Sequence, residues 1–166
     1  MSEAVLDAGP LIHLAEVEAL DILCDLEVCF VPEAVWQEVA RHRPSALSFP
    51  GLPLKRCAAL PLSINLQTLV TALSLDSGEV ESLSLLEHFP EAWFLTDDAA
   101  ARLVAEQRHY QVHGTIGLLI RSVRQKQRSP RAVLDLLHSL PQCSTLHIRS
   151  TLLETIIQQL EAEWKL

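Results

Sequence analysis

Twice along this chain a short apolar run stops at an acidic residue and gives way at once to helix-forming signals. That arrangement constrains the fold more than any other feature of the sequence. Ala4-Val5-Leu6 ends at Asp7, where Gly9-Pro10 breaks the extended chain and opens a helix. Ala92-Trp93-Phe94-Leu95-Thr96 ends at Asp97-Asp98, after which Ala99, Ala100, Leu103 and Val104 recur at helical spacing.

The same alternation runs through the rest of the chain. Val28-Cys29-Phe30-Val31 reads as a second buried strand, with Pro32 at the start of a helix whose apolar stripe is Val35, Trp36 and Val39. Pro44 to Pro53 holds three prolines and a glycine within ten residues and is expected to be a mobile loop, followed by a short edge strand within Leu54–Leu60. Asn65–Leu75 reads as helical, and Asp76-Ser77-Gly78-Glu79 starts another helix reaching about His88. Val112 marks a brief strand, and Gly114-Thr115-Ile116-Gly117 turns into a helix from Leu118 to about Gln125. Ser129-Pro130 is a helix start with serine as cap and proline at the first helical position. Leu153, Ile156, Ile157, Leu160 and Trp164 stripe the last helix, a face suited to the core or to a second copy of the chain.

Strands that alternate with helices form a parallel sheet wrapped by helices. In such sheets ligands gather at the carboxyl ends of the strands, where Asp7 and Asp97-Asp98 lie. The chain length suits a single domain over residues 1–166, with a core of about 1–126 and a C-terminal helical extension of about 129–166.

Composition narrows the class. At 49% hydrophobic and 20% charged the chain can bury a core, which excludes a disordered polypeptide. No apolar run approaches the roughly 20 residues that span a bilayer, and the first residues lack the basic and apolar regions of a signal peptide. A cytoplasmic location is therefore expected. Cys24, Cys29, Cys57 and Cys143 form no C-x-x-C pair and read as reduced thiols.

The net charge of −8 opposes bulk attraction to nucleic acid, but its distribution is uneven. The first 101 residues carry sixteen acidic and four basic residues, whereas Arg102 to Arg131 carries seven basic residues and one acidic one, Glu106. Two readings stand: solvated helix faces, or an acidic metal pocket beside a phosphate-binding strip that includes Arg102, Arg121 and Arg124.

Five segments together resemble one family. Val5-Leu6-Asp7-Ala8-Gly9-Pro10-Leu11-Ile12 is similar to the opening strand and turn of PIN-domain proteins. Val31 to Val39 is similar to their V-P-x-x-V-x-x-E-V motif, which places an acid at Glu38. Leu75 to Glu81 resembles the Gly-Glu helix start at Glu79, and Leu95 to Arg102 resembles the paired-acid segment at Asp97-Asp98. Val112 to Leu119 resembles the G-T-x-G-L-L segment of the toxin-like (VapC-like) prokaryotic subgroup, and beyond Gln125 only helical character is shared.

The resemblance implies a three-layer α/β/α sandwich with a central parallel sheet and C-terminal helices. It implies Mg²⁺ or Mn²⁺ held by Asp7, Glu38, Glu79 and the Asp97–Asp98 pair, and RNA as the usual substrate. A small antitoxin and a homodimer are the partners such relatives imply. A hard divalent ion takes about six oxygen ligands and keeps several waters, which suits carboxylates converging from different elements.

Each acid also has a structural reading. Asp7 fits a turn or cap, and Glu38 fits a solvated helix face. Asp76 and Glu79 fit a capping box that competes with metal for the same oxygens, and Glu81 is expected to be solvated. The Thr96-Asp97-Asp98 spacing favours Asp98 as the main ligand, although either aspartate can serve. Thr96 is a candidate to position a water, and Arg102 to touch phosphate. A PIN-like module that binds nucleic acid or protein without cleaving is the alternative function, because Glu79 stands where aspartate is more usual. A phospho-receiver would pair its acids after the first strand, and a dehalogenase-type phosphatase would carry D-x-D there; neither pattern is present.

Overall fold

The computed structural model describes residues 2–166. Five parallel strands form one sheet: β1 (Glu3–Leu6), β2 (Val28–Pro32), β3 (Leu54–Cys57), β4 (Trp93–Leu95) and β5 (Val112–His113), in the order β3-β2-β1-β4-β5. The chain builds outward from β1 to β3, then returns to lay β4 on the other side of β1. The gap between β1 and β4 is thus the point where strand order reverses, the position at which open parallel sheets form ligand crevices.

Helices cover both faces, which gives the three-layer α/β/α sandwich. Side-chain alternation along the strands sorts the core: Ala4, Leu6, Cys29, Val31 and Leu95 face one side, and Val5, Phe30 and Phe94 the other. The first side is packed by α1 (Ala8–Glu16), α2 (Glu33–His42), α7 (Thr115–Arg124), α8 (Pro130–Cys143) and α9 (Ser150–Trp164). The second is packed by α4 (Ile64–Ala72), α5 (Ser77–His88) and α6 (Ala99–Gln107). The central strands β1, β2 and β4 are apolar on both faces because each face meets a helical layer, whereas the edge strand β3 exposes Lys55 and Arg56.

Two local expectations change, and a third is decided between its two readings. Pro44–Leu47 forms a short helix, α3, with Ala46 fully buried, and Phe49 and Leu52 pack against the core, so half of the expected loop is anchored by its apolar residues. Helix α7 begins at Thr115 rather than Leu118, with Gly114 as N-cap. The apolar stripe of α9 turns inward: Leu153, Ile157 and Leu160 join the core beside α8. The four cysteines are free thiols, with only Cys29 buried. No helix among the described residues is long and apolar enough to cross a membrane.

Candidate metal centre

The strand order brings Asp7 and the Asp97-Asp98 pair to neighbouring strand ends, although almost ninety residues separate them. Asp7 is the N-cap of α1 and its Oδ1 accepts the Ala8 amide at 2.8 Å. The hydroxyl of Thr96, fully buried at the end of β4, donates to Asp7 Oδ2 at 2.8 Å. The Thr96 hydroxyl oxygen in turn accepts the Asp98 amide at 3.1 Å. Thr96 therefore spends its single hydroxyl proton on Asp7 and orients that carboxylate.

The two adjacent aspartates diverge. Leu95 faces the α1/α7 side, and two residues on Asp97 does the same. His13 Nδ1 lies 2.7 Å from Asp97 Oδ2, the Thr115 hydroxyl donates to that oxygen at 2.6 Å, and the Thr115 amide donates to Oδ1 at 2.7 Å. Burial pushes the Asp97 carboxyl up, but its hydrogen bonds from His13 and Thr115 outweigh this and hold it below the usual carboxylate range. Both its oxygens are committed to tying β4 to α1 and α7. Asp98 turns to the other layer, capping α6 through Oδ1, which accepts the Ala101 amide at 2.7 Å.

Glu79 reaches the same region from α5. The capping box foreseen in the sequence is complete: the Glu79 amide donates to Asp76 Oδ1 at 2.9 Å, and Glu79 Oε2 accepts the Asp76 amide at 2.9 Å. Gly78 lets α5 approach α2, because a Cβ there would stand 3.3 Å from Val35 Cγ2 and 3.7 Å from Glu38 Oε2. Glu38 is half-buried and also borders a cavity with Ile12, Glu16 and Thr145.

These acids sense one another. Burial pushes the Asp7 carboxyl up to about 6, with the charges of Asp76 and Glu38 adding to the rise. Burial likewise pushes Glu79 up to about 7, and Asp76, Asp98 and Asp7 all contribute repulsion. Asp76, read from the sequence only as a cap, is thus part of the acidic cluster. No signal distinguished that role, since a cap and a cluster member need the same residue type.

The donor set is entirely carboxylate and hydroxyl oxygen, which suits Mg²⁺ or Mn²⁺ rather than a softer ion. Among the described residues no three acidic, histidine or cysteine side chains form a ready-made ligand group. The acids are charged neighbours, an arrangement compatible with an ion that binds one or two carboxylates directly and retains waters.

A family model described as a PIN domain matches residues 3–162. The chain belongs to the PIN-domain family. The match extends through α8 and most of α9, beyond the five motif segments between Val5 and Leu119. PIN domains are generally nucleases that use divalent metal ions, and they act on nucleic acid. A comparison with curated proteins found no significant match.

Within this PIN domain, the basic run is largely neutralised. Arg108 pairs with Glu87, Arg121 with Asp25, Arg128 with Asp21 and Arg131 with Asp135. Arg121 also lies over the Trp93 ring, 5.1 Å from its centroid. Arg102 keeps only two contacts near the distance limit, Glu106 at 3.5 Å and the Thr96 carbonyl at 3.4 Å. Arg124 is exposed at the end of α7, with no acidic partner among the described residues. Glu81 departs from expectation: its Oε2 accepts the Ala34 amide at 2.8 Å and caps α2, whose preceding Pro32 has no side-chain acceptor.

Proposed function

We propose that this PIN domain is a metal-dependent endoribonuclease that hydrolyses RNA phosphodiester bonds, with Mg²⁺ or Mn²⁺ held among Asp7, Glu38, Glu79 and Asp98. The observation that carries the reading is the joint burial of Asp7 and Glu79 at the β1/β4 crevice, where desolvation first, and then repulsion from neighbouring acids, keeps both carboxyls above the usual range. A cluster of this kind is relieved by a divalent cation. The engagement of both Asp97 oxygens favours Asp98 over Asp97 as the ligand from this strand end.

When bound, such an ion acts as a Lewis acid on a phosphodiester and lowers the cost of ionising a water. The protein's own groups supply position. Thr96 fixes the rotamer of Asp7, and the α6 amide at Ala101 fixes Asp98. The N-termini of α1, α5 and α6 meet at the cluster, and their dipoles favour negative charge there. Arg102, one turn beyond Asp98, offers a guanidinium to a phosphate, and Arg124 adds exposed positive charge further along.

The toxin role, a small antitoxin partner, a homodimer and a cytoplasmic location extend this reading from the resemblance of Val112–Leu119 to the toxin-like subgroup. The second reading, a PIN-like module that binds nucleic acid or protein without cleaving, is favoured by the capping box that occupies Glu79 Oε2. Calorimetric titration of Mn²⁺ into the wild type and into Asp7→Asn/Asp98→Asn, followed by RNA cleavage assays, separates the two. Binding and cleavage lost together in the double variant support the nuclease. No heat at millimolar metal moves the assignment to the non-cleaving module.

A further inference from the structure

A cavity of about 400 Å³ opens at the carboxyl ends of β4 and β5, next to the acidic cluster but separate from it except at Asp97. Its lining combines Arg102, His113 and His147 with the apolar Ile116, Leu146 and Ile148. His113 Nε2 is shielded from solvent and has no hydrogen-bond partner among the described residues. Resting on the nuclease reading above, we propose that this cavity holds one nucleotide of the RNA adjoining the scissile bond, its base against the apolar side chains and its phosphate on Arg102.

Four features carry the assignment. The volume lies in the range of small-ligand sites, which are mostly apolar with a few placed polar groups. A planar guanidinium matches phosphate, and imidazole and apolar side chains pack against bases without demanding a sequence. Arg102 is held only by its two long contacts, so it can turn to a ligand. It also stands one turn into α6 from the Asp98 N-cap, so a phosphate bound to it lies near the acids.

Two glycines keep the space open. A Cβ on Gly114 would come within 2.9 Å of Arg102 Nη2 and 2.8 Å of Asp97 Oδ1, so no larger residue lets the guanidinium lie over the end of β5. A Cβ on Gly117 would meet nothing within 4 Å, so the cavity is free on that side of α7.

The test is binding of AMP and UMP to the full chain in EDTA, followed by amide chemical shifts. Shifts centred on His113, Gly117 and His147 are expected, with at least tenfold weaker binding in Arg102→Gln and none in Gly117→Trp, whose fold is checked by thermal melting. Asp7→Asn/Asp98→Asn should bind AMP at least as tightly as the wild type while losing metal binding. Absence of AMP and UMP binding at millimolar concentration, or binding unaltered by Arg102→Gln, overturns the nucleotide site. Loss of cleavage in Asp7→Asn then still speaks for the nuclease, cleavage that survives it overturns the assignment of the metal site to Asp7, and no cleavage by the wild type overturns the nuclease itself.

Discussion

Thr96 joins Asp7 to Asp98: its hydroxyl donates to Asp7 Oδ2 at 2.8 Å and accepts the Asp98 amide at 3.1 Å. One buried side chain thus sets the relative position of two carboxylates on neighbouring strands. Thr96→Val keeps the shape and removes both bonds. Asp7 is left buried with one fewer donor, so its carboxyl should rise further above about 6, and stability should fall by about 1–3 kcal/mol. Carboxyl NMR titration and urea unfolding measure the two effects; an unchanged Asp7 titration would show that this bond does not govern it.

The raised carboxyls set a pH dependence for the metal-free protein. Asp7 holds its proton up to about pH 6 when folded but only to its ordinary 3.8 when unfolded, so between these values the folded state binds more protons. Stability therefore falls as pH rises through that window, by about 3 kcal/mol from Asp7 alone. Glu79, raised from 4.5 to about 7, extends the loss in the same direction toward neutrality. Asp7→Asn should melt higher than the wild type at pH 7.5 in EDTA and no higher at pH 4. Added Mn²⁺ should raise the wild-type midpoint at pH 7.5 and leave the variant's unmoved.

Glu79→Gln separates the two roles that compete at that position. Glutamine completes a capping box as glutamate does, so the change in stability from the cap should stay within about 0.5 kcal/mol. Removal of the charge should weaken Mn²⁺ binding and reduce RNA cleavage by about 100-fold, of the order seen when one electrostatic group is removed from a site. Full cleavage by this variant would confine Glu79 to the cap.

The adjacent aspartates should answer differently. Asp97→Ala removes the acceptor of His13 and of both Thr115 donors, and its loss should cost about 2–4 kcal/mol of stability. Asp98→Asn retains an N-cap oxygen for Ala101 and should melt close to the wild type while losing metal affinity. Denaturation and calorimetry on both proteins decide the matter; a stable, metal-blind Asp97→Ala would reverse the assignment.

Local chemistry made much of this protein legible in its sequence. Apolar runs that end at acids, proline at helix starts, and serine or aspartate caps depend on residues within a turn of one another, so strands, helices and the Asp76/Glu79 box could be read directly. Asp7 and the Asp97-Asp98 pair stood out as strand-end acids for the same reason. What the chain could not display were relations across the fold. Strand order, which lays β4 against β1, brings Thr96 to Asp7. Side-chain alternation against the two helical layers sends Asp97 to His13 and Thr115 and Asp98 to α6. Packing of α5 on α2 turns Glu81 into a cap, and folding pairs most of the basic run with distant acids such as Asp21, Asp25 and Glu87. Hydrogen-bond chemistry and hydrophobic period act over a few residues and are written locally, whereas charge pairing, burial and the meeting of strand ends depend on which elements become neighbours.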